Sequence, residues 1–286
     1  MNCIYLQRIA EPKLRISAKK TQYTNYLDAN NTMSLTARKS FALIILVIAA
    51  FIGANSFMAF LFFLYEGSLG WVQLGMNEAE RLMFNALISV VFFLQHSIMI
   101  RRSFRRRLSV LISSHYQGAV YTLASGFVLL VFVAFWQGSD IILFGVYGLP
   151  GVVMRTFYFL SILGIFWGMW ALRSVDMFGL DPILRKLRSK PSISSPFRIR
   201  GPYRWVRHPL YLFMIVLFWS YPILTTDRLL FNILWTIWVI IGTIFEERDL
   251  VDDFGDDYRD YQANVPMLLP NSFLPSYTVG NPDDAS

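Results

Sequence analysis

Six runs of apolar residues, set apart by short polar loops, constrain this chain more than any other feature. They cover roughly Phe41–Tyr65, Leu82–Ile100, Ala119–Trp136, Val152–Leu172, Leu210–Leu224 and Leu229–Phe245. A helix needs about 20 apolar residues to cross a hydrocarbon core of about 30 Å. The first four runs fit that length. The last two are short and flank Thr225-Thr226-Asp227-Arg228, so they read as a tight helical hairpin whose ends are completed by polar residues or by local thinning. The fold class expected is all-α: a polytopic transmembrane protein of about six helices ending in a hairpin. A composition of 55% hydrophobic and 16% charged residues agrees, being too apolar and too poor in charge for a soluble globule of 286 residues.

The net charge of +7 is explained by where the charges sit. With the N-terminus in the cytoplasm, 23 of the 26 Lys and Arg fall on the cytoplasmic side, leaving only Arg81, Arg155 and Arg228 outside. This is the positive-inside pattern of a chain with both termini cytoplasmic. The basicity is therefore topological, and no nucleic-acid partner is expected. Ile183–Lys190 alternates apolar and basic residues, which suits the anionic inner leaflet. Residues 1–40 form a polar tail, dispensable before the second start at Met33, and 271–286 a flexible one; the domain between them spans 41–270.

Chemistry-bearing residues concentrate in two places. The segment Arg200-Gly201-Pro202-Tyr203-Arg204-Trp205-Val206-Arg207-His208-Pro209-Leu210-Tyr211 runs into the fifth apolar run, with Pro209 suited to a first helical turn. Glu246-Glu247-Arg248-Asp249 closes the sixth. Taking Asp227 as the turn centre, His208 lies 19 residues before it and Glu246 19 after, so an antiparallel hairpin returns them to one depth. Cations at a helix N-terminus and carboxylates at a C-terminus both oppose the helix dipole, by roughly 0.3–1 kcal/mol each. The clusters can relieve this by pairing with each other, or by binding a ligand with an amino-acid head group. Plainer roles remain open: Arg204 and Arg207 as topology or lipid-phosphate charges, Glu246 and Glu247 as a solvated helix end, His208 as an interfacial residue. Gln95 and His96 on the second run are intramembrane polar residues, which either serve function or bond neighbouring helices. Gly164-x-x-x-Gly168 is a helix-packing pattern. Asp176 either binds a ligand or caps a turn. Three scattered His and the single Cys3 supply no metal site.

The run Arg-Gly-Pro-Tyr-Arg-x-x-Arg-His-Pro-x-Tyr (200–211), followed by Glu-Glu-Arg-Asp-Leu (246–250), Phe-Gly-x-x-Tyr-x-x-Tyr (254–261) and Val-Pro-Met-Leu-Leu-Pro (265–270), resembles the isoprenylcysteine carboxyl methyltransferase-like superfamily of membrane enzymes. Phe93-Leu94-Gln95-His96-Ser97-Ile98-Met99 and Asp176-Met177-Phe178-Gly179-Leu180 extend the resemblance to bacterial methanethiol S-methyltransferases. Arg173-Ser174 stands where that pattern has Asn-His. The resemblance implies a bacterial inner-membrane enzyme that uses S-adenosyl-L-methionine to methylate a small thiol, methanethiol giving dimethyl sulfide. Isoprenylcysteine carboxylate or a phospholipid amine is the nearest other acceptor, and a non-enzymatic denitrification-linked protein the alternative of a different class. It further implies that Arg207 and His208 hold the carboxylate side of the cofactor and Glu246 or Glu247 its amino group or a ribose hydroxyl. Tyr203, Tyr211, Tyr258 and Tyr261 would line the adenosine, or else form an interfacial aromatic belt. Thiol attack needs a deprotonated sulfur, so His208 or His96 is the candidate base, with Arg204 or Arg207 favouring the thiolate.

Overall fold

The computed structural model describes residues 35–172, 176–188, 197–272 and 274. In chain order the elements are α1 (Leu35–Glu66), α2 (Glu78–Ile100), α3 (Arg102–Leu108), α4 (Ser114–Phe135), β1 (Ile142–Gly145), α5 (Gly148–Leu172), α6 (Asp181–Leu187), a 3₁₀ turn (Gly201–Arg204), α7 (Pro209–Trp219), β2 (Ile223–Thr225), α8 (Thr226–Phe254) and α9 (Asp256–Asn264). Five of these helices, α1, α2, α4, α5 and α8, are long and apolar enough to span a membrane. Their outward faces carry large apolar side chains such as Phe51, Leu87 and Leu163, each at least 60% exposed. Exposed apolar surface on this scale belongs in lipid, and the protein is an integral membrane protein.

The fifth apolar run departs from a single helix over Leu210–Leu224. Helix α7 stops at Trp219 after 11 residues, because Pro222 has no N–H to continue the ladder and biases Tyr221 away from helical backbone. The chain then extends through β2, which pairs antiparallel with β1 (Ile142 opposite Thr225, Gly145 opposite Ile223). Thr225 caps the start of α8, and Asp227 and Arg228 lie inside that helix, not at a turn centre. At 1.5 Å per helical residue and about 3.3 Å per extended one, α7 plus residues 220–225 covers a depth close to the roughly 32 Å that α8 takes from Thr226 to Glu247. The hairpin therefore still closes on itself.

Aromatic packing centres on α8. Trp235 stacks on Phe60 of α1 at 4.9 Å and on Phe92 of α2 at 5.2 Å, with Phe132, Phe218 and Phe231 around it. The end of the bundle far from the basic loops is tied by polar groups: Trp136 Nε1 donates to Asp227 (2.8 Å), and Arg228 donates to the carbonyls of Phe63 and Leu64. On α5, Gly164 and Gly168 admit Phe213 and Leu210 of α7 so closely that a Cβ at either would sit 2.6 Å from the ring or methyl. The small-residue pattern is thus a packing seam. Ile183 does not lie along a leaflet: it is fully buried against Ala42, Ala49 and Ala119, while Lys186 and Arg188 face outward. Lys190 lies outside the described residues, as do Cys3, Arg173-Ser174, the segment through Met33 and nearly all of the 271–286 tail.

Candidate functional site

The two charged clusters meet. Arg207 donates from Nε and Nη2 to the two carboxylate oxygens of Glu247 (2.7 and 2.9 Å), a bidentate pair with both side chains 11% exposed. His208 Nε2 lies 2.7 Å from Glu247 Oε1. Tyr258 Oη (2.9 Å) and Gln262 Nε2 (2.5 Å) donate to the same carboxylate. The remaining guanidinium nitrogen of Arg207 donates to the carbonyls of Gln262 and Val265, and the backbone amides of Arg207 and His208 donate to Pro266 and Met267. Arg207 and Glu247 therefore clasp α7, α8, α9 and the strand-like Val265–Met267 segment in one knot.

The reason for this pairing differs from the dipole argument. Helix α8 continues two turns beyond Glu247 and ends at Gly255, whose φ of 60° stops it. The dipole acts within the last turn, so Glu246 and Glu247 escape it. Burial instead compels the pairing, since a charge withdrawn from water needs a hydrogen-bonded counter-charge.

Glu246 points to a different neighbour. It is buried and accepts from the Tyr211 hydroxyl, whose ring stacks on His208 at 5.5 Å with only 4° between planes. Glu246, Tyr211 and His208 thus form one face at the junction of α7 and α8. Tyr203 is buried in the 3₁₀ turn, its carbonyl accepting from Tyr261 Oη at 2.5 Å. Tyr258 and Tyr261 pack on Phe197 in a small apolar cluster. Burial, and then the neighbouring Glu247 carboxylate, holds the Tyr258 phenol protonated far above the ordinary tyrosine range; burial does the same for Tyr261. Arg204 closes the 3₁₀ turn, half-buried.

His96 belongs to a second constellation. It is 9% exposed, within 3.0 Å of Tyr121 Oη of α4, and its ring packs on Phe92 and edge-on to Trp238 of α8. It lines a cavity of about 190 Å³ between α1, α2, α3 and α4. Asp176, Met177 and Phe178 of the Asp176–Leu180 turn line the basic end of that cavity. Asp176 caps this turn, accepting from the amides of Leu180 (2.9 Å) and Asp181 (2.6 Å), and burial raises its carboxyl above the usual range. Thr122 donates to the Phe178 carbonyl, and Gly118 and Gly179 touch backbone to backbone: a Cβ on Gly118 would lie 2.3 Å from the Gly179 oxygen. Tyr121, Gln262 and the carbonyls that receive Arg207 carry no signal of their own in the sequence, because their partners lie on elements remote in the chain.

A phospholipid methyltransferase family model matches residues 152–257. The methanethiol S-methyltransferase of Pseudomonas deceptionensis is 35% identical over 196 residues, spanning 66% of this chain and 73% of its own length. That of Mycobacterium tuberculosis is 33% identical, over 65% of this chain and 77% of its own. The chain belongs to the methanethiol S-methyltransferase family. A more distant member, from Crocosphaera subtropica, is 31% identical over 69% of this chain and 80% of its own. The family match makes this protein a membrane methyltransferase. No solved structure matches the chain.

Proposed function

We propose that the protein transfers a methyl group from S-adenosyl-L-methionine to a small thiol, converting methanethiol to dimethyl sulfide. The observation that carries this reading is the buried Glu246–Tyr211–His208 face beside a fully engaged Arg207–Glu247 pair. Five side-chain atoms already surround the Glu247 carboxylate, so it has no position left for an ammonium group. Glu246 is the fitting partner for the cofactor's amino group, and His208 with Arg204 for its carboxylate side. Arg207 and Glu247 act as positioning residues, while Tyr203, Tyr211, Tyr258 and Tyr261 bound the adenosine side. Bound there, the cofactor supplies a methyl on a sulfonium, whose departure as a neutral thioether needs no acid.

His96 accepts the S–H proton as the thiol sulfur forms its bond to the methyl carbon and the carbon–sulfonium bond breaks. Its ring is oriented by Tyr121 and faces the cavity, whereas the His208 nitrogen is held by Glu247. Holding thiol and methyl donor in line supplies much of the rate. The basic end of the bundle faces the cytoplasm of a bacterial inner membrane, as the arginine-rich loops favour. The test is purified protein in lipid nanodiscs with S-adenosyl-L-methionine and methanethiol, followed by headspace gas chromatography. Dimethyl sulfide is expected, and Glu246→Gln should raise the cofactor KM at least tenfold. Cofactor binding without a volatile product would overturn the thiol reading.

A further inference from the structure

The cavity behind His96 is larger than methanethiol requires. Its volume is about 190 Å³, and Phe57, Phe92, Met99, Ile100 and Leu129 are among the apolar residues that line it. A cavity of about 150 Å³ with aliphatic and aromatic walls takes up benzene. The space is built, not left over. Gly53 and Gly126 let α1 and α4 close around it: a Cβ at Gly53 would meet the Phe178 ring at 2.6 Å, and one at Gly126 would meet Ile52 and Ser56 at 3.0 Å. Phe178 lies at the basic end, its backbone carbonyl held by Thr122. Among its polar lining groups, His96 meets Tyr121, while Arg105, Gln117 and Asp176 lie toward the basic end.

His96 links the cavity to α8, the helix that carries Glu246. Trp238 of α8 points at His96. Glu246 lies eight residues further along α8, which is about 80° around the helix and about 12 Å along it. That rotation turns Glu246 away from the His96 side, and it meets Tyr211 of α7. Arg101, next to Ile100 in the cavity wall, sits 4.1 Å from the ring of Phe245, so the basic end of the cavity and Glu246 share one depth.

We infer that this cavity is the acceptor pocket, and that it takes apolar thiols up to about the size of benzenethiol as well as methanethiol. The inference rests on the thiol-methylation reading and narrows it to a substrate class. Burying each added methylene is worth about 0.8 kcal/mol, so KM is expected to fall about fourfold per methylene along the series to 1-butanethiol.

The experiment measures kcat/KM for methanethiol, 1-butanethiol and benzenethiol with the nanodisc protein and two variants. Leu129→Phe, which shrinks the pocket, should lower the benzenethiol-to-methanethiol ratio at least tenfold. Phe57→Ala, which enlarges it, should raise that ratio, and it keeps the test decisive where the first variant fails to fold. Dimethyl sulfide formation without any butyl or phenyl product overturns this inference alone, as does an unchanged ratio in both folded variants. No methylation of any thiol overturns the parent reading and this one with it.

Discussion

Replacing Glu247 by alanine tests whether the Arg207–Glu247 pair is what fastens the C-terminal segment to the membrane bundle. The carboxylate is only 11% exposed, and it receives two nitrogens of Arg207, one of His208, the Tyr258 hydroxyl and the Gln262 amide. Removing one member of a buried ion pair leaves the other charge uncompensated and costs about 3–5 kcal/mol. Arg207 keeps two carbonyl acceptors, at Gln262 and Val265, so the low end, about 3 kcal/mol, is the better figure here. At roughly 2–4 °C per kcal/mol for a chain of this order of size, Tm should drop by about 6–12 °C. The assay is thermal unfolding of the nanodisc protein by tryptophan fluorescence, run beside limited proteolysis across 255–268. The Arg207→Met/Glu247→Leu double variant removes both charges and fills the space. It should recover only part of the loss, because the two charges go together but His208, Tyr258 and Gln262 lose their acceptor. A Glu247→Ala protein that melts within 2 °C of wild type, with no new cleavage, would refute the reasoning.

Two further outcomes follow from contacts described above. Gly118→Ala would drive a Cβ to within 2.3 Å of the Gly179 carbonyl, so the Asp176–Leu180 turn must lift from α4; overpacking of this kind costs about 1–3 kcal/mol, read as a lower Tm together with loss of methyl transfer. The second concerns alkaline pH. The folded-state pKa of Tyr258 is raised, by burial and then by Glu247, so the native state holds this proton more tightly than the unfolded chain. Its contribution is complete below the free phenol's pKa of about 10 and is lost as pH rises above it. Tm should therefore fall between pH 9 and 11, and Tyr258→Phe should flatten that fall.

Much of the architecture was legible because lipid imposes one strong rule: a spanning segment must satisfy its backbone internally and face apolar surroundings. Hydropathy alone located the long helices, and the meeting of Arg207 and His208 with the Glu246-Glu247 pair followed from counting residues along a hairpin. That count placed His208 opposite Glu246, whereas the ion pair forms at Glu247. The offset arises because α7 ends at Trp219 and the extended Ile223–Thr225 strand before α8 covers more depth per residue than a helix. Pro222 ends α7 by its own local chemistry, but the strand that follows it depended on β1, more than 70 residues earlier, being present to pair with β2. From the sequence Asp176 is either a ligand or a cap, and its two backbone donors make it a cap.

The sequence by itself determined which segments enter the membrane, which end is basic and which residue types converge there, since these depend on local composition and spacing. Only the tertiary structure decided how those residues divide their work. It showed Glu247 saturated by neighbours from α7 and α9, and Glu246 turned toward Tyr211. It also created the His96 cavity, whose walls come from four helices and a turn that no periodicity connects. The physical reason is that hydrogen-bond saturation and enclosed volume belong to the packing of remote elements, and neither exists until those elements meet.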